Sequence, residues 1–235
     1  MRTPFAVHRR RFMLAYRHVF HAGNAADVFK HSVLCQLILG LARKDKPFLY
    51  LETHAGIGRY DLKHPWAQKN REYAEGIGRV IGREDAPEAL RPYLDAVIAQ
   101  NDGRGLRCYP GSPLIARRLL RAQDRMVLAE LNREDFSQLA VLFENDRAVQ
   151  VRHMDGYQAL KAFLPPQERR GLVLIDSSFD RAREFARLVD AVTEAYRRFA
   201  TGAYAIWYPL MEPAALRGFE RDMAQSGIRK ILKLE

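Results

Sequence analysis

The chain has 235 residues, enough for one large domain, or a domain with a sizeable insertion, around a buried core. With 48% hydrophobic and 28% charged residues and no low-complexity tract or short repeat, its composition excludes a disordered, collagenous or solenoid protein. Lys and Arg outnumber Asp and Glu by 38 to 28, and the resulting formal charge of +10 attracts polyanions, so RNA, DNA and anionic membrane stand as candidate partners.

The first residues, MRTPFAVHRRRF, are basic and lack the apolar core of a signal peptide. No stretch reaches the roughly 18 consecutive apolar residues of a membrane span, which makes membrane the weakest of the three partners. Cys35 and Cys108 fit neither a disulfide framework nor a metal cluster and point to a reducing, cytoplasmic setting. From Asp27 to Leu41, apolar residues at Val28, Val33, Leu34, Leu37, Ile38 and Leu41 follow a helical period. A strand is predicted next, over 47–53, and runs into Glu52-Thr-His-Ala-Gly-Ile-Gly58, where glycines let backbone approach a bound cofactor. The third glycine of the dinucleotide fingerprint and the phosphate loop GxxxxGK[ST] are both missing, which argues against NAD and ATP.

About 70 residues then separate the first strand from the second, far more than one crossover helix needs. Helical patterns over 72–81, 86–100 and 112–122 fill the interval, and residues 61–108 are expected to form an inserted helical subdomain. Its Lys63, Lys69, Arg71, Arg79 and Arg83 suit either an RNA-facing surface or an ordinary solvated helix face.

Further strands are expected over 125–131, 148–153, 172–176, 204–208 and 228–234, with a helix over 185–199. Alternating strands and helices imply an α/β fold with a mainly parallel sheet. The second strand ends at Glu130, the third at Met154-Asp155-Gly156 and the fourth at Asp176. Such carboxylates suit a ribose diol or an adenine amino group, or serve as plain strand-end acids. Their convergence with the glycine loop on the carboxyl edge of one sheet is the stronger signal, because open α/β sheets bind ligands there.

Several stretches carry a resemblance to a known family: YRHVFHAGN (16–24), DVFKH (27–31), KPFLYLETHAG (46–56), YPGSPLIAR (109–117) and RFATG (198–202). They resemble the ribosomal RNA large subunit methyltransferase J family over about residues 13–235, with residues 1–12 outside the likeness as a basic extension, disordered or the product of a start codon upstream of Met13. The resemblance implies a Rossmann-like class I methyltransferase sheet formed by 13–60 and 109–235. It implies S-adenosylmethionine as cofactor and N6 of an adenine in 23S ribosomal RNA, naked or poor in protein, as target; no metal is implied. Cofactor contacts are implied for Lys30, His31, His54, Ser112, Glu130, Asp155, Gly156 and Asp176. Asp176 is implied as the catalytic carboxylate, Phe179 as the aromatic platform and Tyr16 as a residue on the substrate side.

Two departures stand out. Adenine-N6 methyltransferases resemble one another in a [DNS]-P-P-[YFW] loop, whereas this chain has Asp176-Ser-Ser-Phe179. Each missing proline frees φ, worth about 0.4 to 1 kcal/mol through the unfolded chain where the geometry suits proline. The alternative to an active methyltransferase is therefore a catalytically weakened or inactive RNA-binding member of the family, in which cofactor binding survives while methyl transfer is weakened or lost. A DNA adenine methyltransferase is disfavoured by the YRHVFHAGN opening. The second departure is that the family's final antiparallel strand is missing, so that a monomer with an unpaired edge, or a dimer through that edge, is expected.

Overall fold

The computed structural model describes residues 17–103, 105–179 and 183–235. After a 3₁₀ turn at His18–Phe20 come α1 (Ala25–Ala42), β1 (Leu49–Glu52), β2 (Arg59–Asp61), α2 (Pro65–Asn70), α3 (Glu72–Glu75), α4 (Ile77–Val80) and α5 (Arg91–Ile98). Next are β3 (Cys108–Pro110), α6 (Ser112–Leu119), β4 (Arg125–Glu130), α7 (Arg133–Leu142), β5 (Val149–His153) and α8 (Gly156–Phe163). The chain closes with β6 (Gly171–Asp176), α9 (Glu184–Arg198), β7 (Ala203–Trp207) and α10 (Pro213–Gln225).

Five strands form one parallel sheet in the order β5-β4-β1-β6-β7. The central strand β1 is buried along its whole length, as a parallel strand covered on both faces must be, and this is why Leu49-Tyr-Leu-Glu52 reads as an apolar run. Alternate residues go to opposite faces. Tyr50, Met126, Leu128, Leu172 and Leu174 meet Leu34 and Ile38 of α1 on one side. Leu49, Leu51, Val127, Val173 and Ile175 meet Leu160 of α8 and Leu188 and Val192 of α9 on the other. The helices expected over 27–41 and 185–199 thus cover opposite faces. By length and composition α1 is apolar enough to cross a membrane. Its apolar side lies on the sheet, however, and its first turns carry the buried Asp27 and Lys30, the habit of a core helix.

The long interval after β1 is closed at its base by an antiparallel ribbon, β2 on β3, with Tyr60 opposite Tyr109. The ribbon went unpredicted because three residues per strand leave no periodicity to read. The helix expected over 72–81 is broken at Gly76, where a Cβ would lie 2.2 Å from the Gly23 carbonyl oxygen, so the backbones meet there directly. Tyr93, Val97, Ile77 and Tyr109 of this region pack against Cys35 of α1 and Ile115 of α6. The strand expected over 228–234 is not formed. Residues 228–235 carry no regular structure and β7 ends the sheet, because an apolar alternation makes a strand only when a ladder partner takes its amides and carbonyls.

Candidate active site

β1 is the point from which the chain runs outward in both directions, to β4 and β5 on one side and β6 and β7 on the other, and a crevice forms at such a switch point. Most of the predicted residues, though not His31, lie along this edge. On the β4 side, Glu130 accepts hydrogen bonds from the Gly56 amide to Oε2 (2.8 Å) and from the Asn132 amide to Oε1 (2.7 Å). Gly56 has φ of 61°, which glycine adopts without strain, so the loop folds back over the strand end. Burial pushes the Glu130 carboxyl up, and the two amides offset part of that cost.

Asp155 caps α8, its Oδ1 accepting from the amides of Tyr157 and Gln158, while its Oδ2 pairs with the Arg187 guanidinium at 2.6 Å. Burial pushes its pKa up, but these partners outweigh burial and hold it below the usual range. Gly156 is required by packing, since a Cβ there would stand 2.2 Å from the Thr53 carbonyl oxygen. His54 is tied through Nδ1 to the Thr53 hydroxyl (2.8 Å), and its ring meets Tyr157 edge-on at 5.5 Å. Burial pushes its pKa down, which favours the neutral imidazole.

On the β6 side Asp176 receives a 2.6 Å hydrogen bond from Lys30 Nζ. Lys30 is 7% exposed and also pairs with Asp27 at 3.0 Å. Burial alone lowers an ammonium's pKa, but the two carboxylates outweigh it and raise Lys30 above the ordinary lysine range. Asp27 is fixed in turn by His18 Nε2 and the Gly23 amide, both at 2.9 Å. The Lys30 ammonium also lies 5.8 Å from the centre of the Trp207 ring, at the end of β7 beside Asp176.

Between the two sides, Ser112 at the start of α6 donates from Oγ to Oε1 of the fully buried Glu52. Tyr50 donates to its other oxygen, and burial pushes the Glu52 carboxyl up to about 8.

His31 lies one residue beyond Lys30 but on another face of α1. It is 1% exposed and shares a 2.8 Å hydrogen bond with the Tyr109 hydroxyl, away from the strand ends. Burial pushes it down to about 3, so it is neutral. Phe179 has φ of 51°, and its ring packs at a tilt against Phe185, with centroids 4.8 Å apart. Tyr16 lies outside the described residues; its neighbour Arg17 pairs with Glu134 and Asp135 at the start of α7.

Sequence reasoning missed Asp27, Glu52, Tyr157 and Glu184. Asp27, one turn before Lys30, left a readable signal in its i, i+3 spacing. Glu184 left none, because its partners are set by how α9 starts.

A strand-end glycine loop, the Glu130 carboxylate it caps and a buried ammonium on the strand-end Asp176 thus meet at the edge where open α/β sheets bind ligands. The chain was compared with known proteins. The family model described as "Ribosomal RNA large subunit methyltransferase D, RlmJ" matches residues 45–235. A protein of Escherichia coli (strain K12) named ribosomal RNA large subunit methyltransferase J is 48% identical over 223 residues, 95% of this chain and 80% of that protein. One of the same name from Haemophilus influenzae is 47% identical over 224 residues, again 95% and 80% of the two chains. The crystal structure of a Legionella pneumophila protein superposes with a TM-score of 0.83 at 43% identity, covering 88% of this chain and 76% of that one. The chain therefore belongs to the ribosomal RNA large subunit methyltransferase J family.

Proposed function

We propose that this protein transfers a methyl group from S-adenosylmethionine to N6 of an adenine in 23S ribosomal RNA, in the cytoplasm and on RNA poor in protein. The observation that carries the reading is the Lys30–Asp176 pair at the switch-point edge, opposite the Glu130 and Gly56 loop.

The residues present fit the cofactor. Glu130 has the acceptor chemistry for a ribose diol, Asp155 and Gly156 flank the adenine side, and the Gly56 turn admits backbone contact. His54, Ser112 and Lys30 are assigned to the methionine end. When bound, S-adenosylmethionine supplies a methyl group activated by its sulfonium charge.

The chain's own residues must then present the nucleophile. The adenine amino nitrogen is weakly nucleophilic because its lone pair is delocalised into the ring. Asp176 accepts a hydrogen bond from the amino group, draws electron density back to nitrogen and orients it for in-line attack. Lys30 fixes Asp176 Oδ2 at 2.6 Å, which leaves Oδ1 for the substrate amine. Phe179 offers a ring face on which the flipped base stacks. The exposed Lys63, Lys69 and Arg71 belong to the positive surface that meets phosphate.

The test is to incubate the protein with methyl-labelled cofactor and unmodified 23S RNA, digest the product and separate the nucleosides. Label in N6-methyladenosine is expected. Label in another nucleoside, or none, rejects the reading.

A further inference from the structure

Asp176 is followed by two serines, neither of which restrains φ as proline does, and then by Phe179 at φ of 51°, unfavourable for a bulky residue. A segment with so little intrinsic stiffness keeps an aligned carboxylate only if contacts hold it. The side chain of Ser177 supplies one: it is buried, and its Oγ donates to Glu184 Oε1 at 2.6 Å. The same oxygen accepts from the Tyr157 hydroxyl at 2.7 Å. Glu184 is 6% exposed and is the first residue of α9, where the positive end of the helix favours a carboxylate. Tyr157 sits beside Asp155 and Gly156 on α8, with the Arg187 guanidinium 4.6 Å over its ring and His54 at its edge. One buried carboxylate therefore joins the end of β6 to α8, α9 and the imidazole of the cofactor loop.

We infer that Glu184 is a positioning residue that latches Ser177, so that Asp176 and the Ser177 carbonyl stay aligned for transfer without a proline in the loop. This rests on the methyltransferase reading. It also implies that the Ser-Ser sequence does not by itself weaken turnover, because the restraint comes from a side-chain bond in place of a ring. Proline at position 177 and the Glu184 latch are alternative ways of limiting the same backbone.

The full chain is compared with Ser177→Ala, Glu184→Ala, Glu184→Gln and the double variant Ser177→Pro/Glu184→Ala. Three quantities are read: single-turnover transfer to unmodified 23S RNA at saturating cofactor, S-adenosylmethionine affinity, and hydrogen exchange of the peptide holding Asp176 to Phe179. Ser177→Ala and Glu184→Ala should each slow transfer about 10- to 100-fold, speed exchange of that peptide and change affinity by less than about threefold. Glu184→Gln, whose amide oxygen still accepts both hydroxyls, should stay within about threefold of the parent in rate, and the double variant should recover most of the rate lost by Glu184→Ala. Unchanged exchange in Ser177→Ala, which removes only a hydroxyl and leaves the fold intact, overturns the latch. So does a normal rate alongside faster exchange, or a loss confined to affinity. Absence of transfer by the parent protein rejects the methyltransferase reading instead, and the exchange measurement still decides whether the latch exists.

Discussion

On the β4 and β5 side of the crevice, Glu130 is held by the backbone amides of Gly56 and Asn132, and Asp155 by those of Tyr157 and Gln158 with the Arg187 guanidinium added. On the β6 side, Asp176 and Ser177 are held by the side chains of Lys30 and Glu184. Amides come with any glycine turn or helix start and survive most substitutions nearby, so they suit the half proposed to bind the cofactor. Side-chain restraints depend on a single residue type at a distant position. They hold a carboxylate harder, and they fail as a unit when one partner is removed.

That contrast predicts the largest loss at Lys30. Replacing it with Met removes the donor to Asp176 and leaves Asp27 as a buried charge with one cation fewer. Breaking such a pair costs about 3 to 5 kcal/mol. Lys30→Met should lower the denaturation midpoint sharply and cut transfer by about a hundredfold or more at saturating cofactor. A stable variant with the parent rate would break the comparison.

Glu130→Ala should behave differently, since the amides of Gly56 and Asn132 can turn to water and the transfer machinery is untouched. We expect cofactor affinity to fall by about 10- to 100-fold, the worth of a charged hydrogen bond or two, with the saturated rate within a few-fold of the parent. Titration calorimetry and single-turnover kinetics read the two effects separately.

A smaller effect concerns the residues between the halves. His31, pushed from an ordinary 6.5 to about 3, binds fewer protons folded than unfolded in that window, so it costs stability as pH falls below 6.5. Glu52, raised from 4.5 to about 8, keeps a proton that the unfolded chain has lost, so it costs stability as pH rises from 4.5 towards 8. The two oppose each other below 6.5, and of this pair Glu52 alone acts above it. The melting temperature should therefore drop between pH 6.5 and 8, and Glu52→Gln should remove most of the drop. An identical slope in the variant would show that Glu52 is ionised in the fold.

The same contrast explains what the sequence made legible. β1, β4 and β6 announced themselves as apolar runs because central parallel strands are buried on both faces. Glu130, Asp155 and Asp176 could be found because strand ends at a switch point converge whatever the details of packing. The tie from Asp176 back to Lys30, 146 residues earlier, could not be read from spacing, and the family resemblance marked the two residues separately without pairing them. Glu184 was hidden from both, since periodicity located the helix over 185–199 but gave no role to the residue at its start, and the resemblance did not mark it. The strand expected over 228–234 shows the opposite failure: alternation is a property of the segment, whereas pairing requires a neighbour.

Asp176→Ala tests the central claim most directly, with cofactor binding and single-turnover methyl transfer measured on the same preparation. If Asp176 orients the amine while the Glu130 side carries the cofactor, S-adenosylmethionine should bind within about tenfold of the parent affinity and transfer should fall by at least about a hundredfold. Transfer at close to the parent rate would contradict the account.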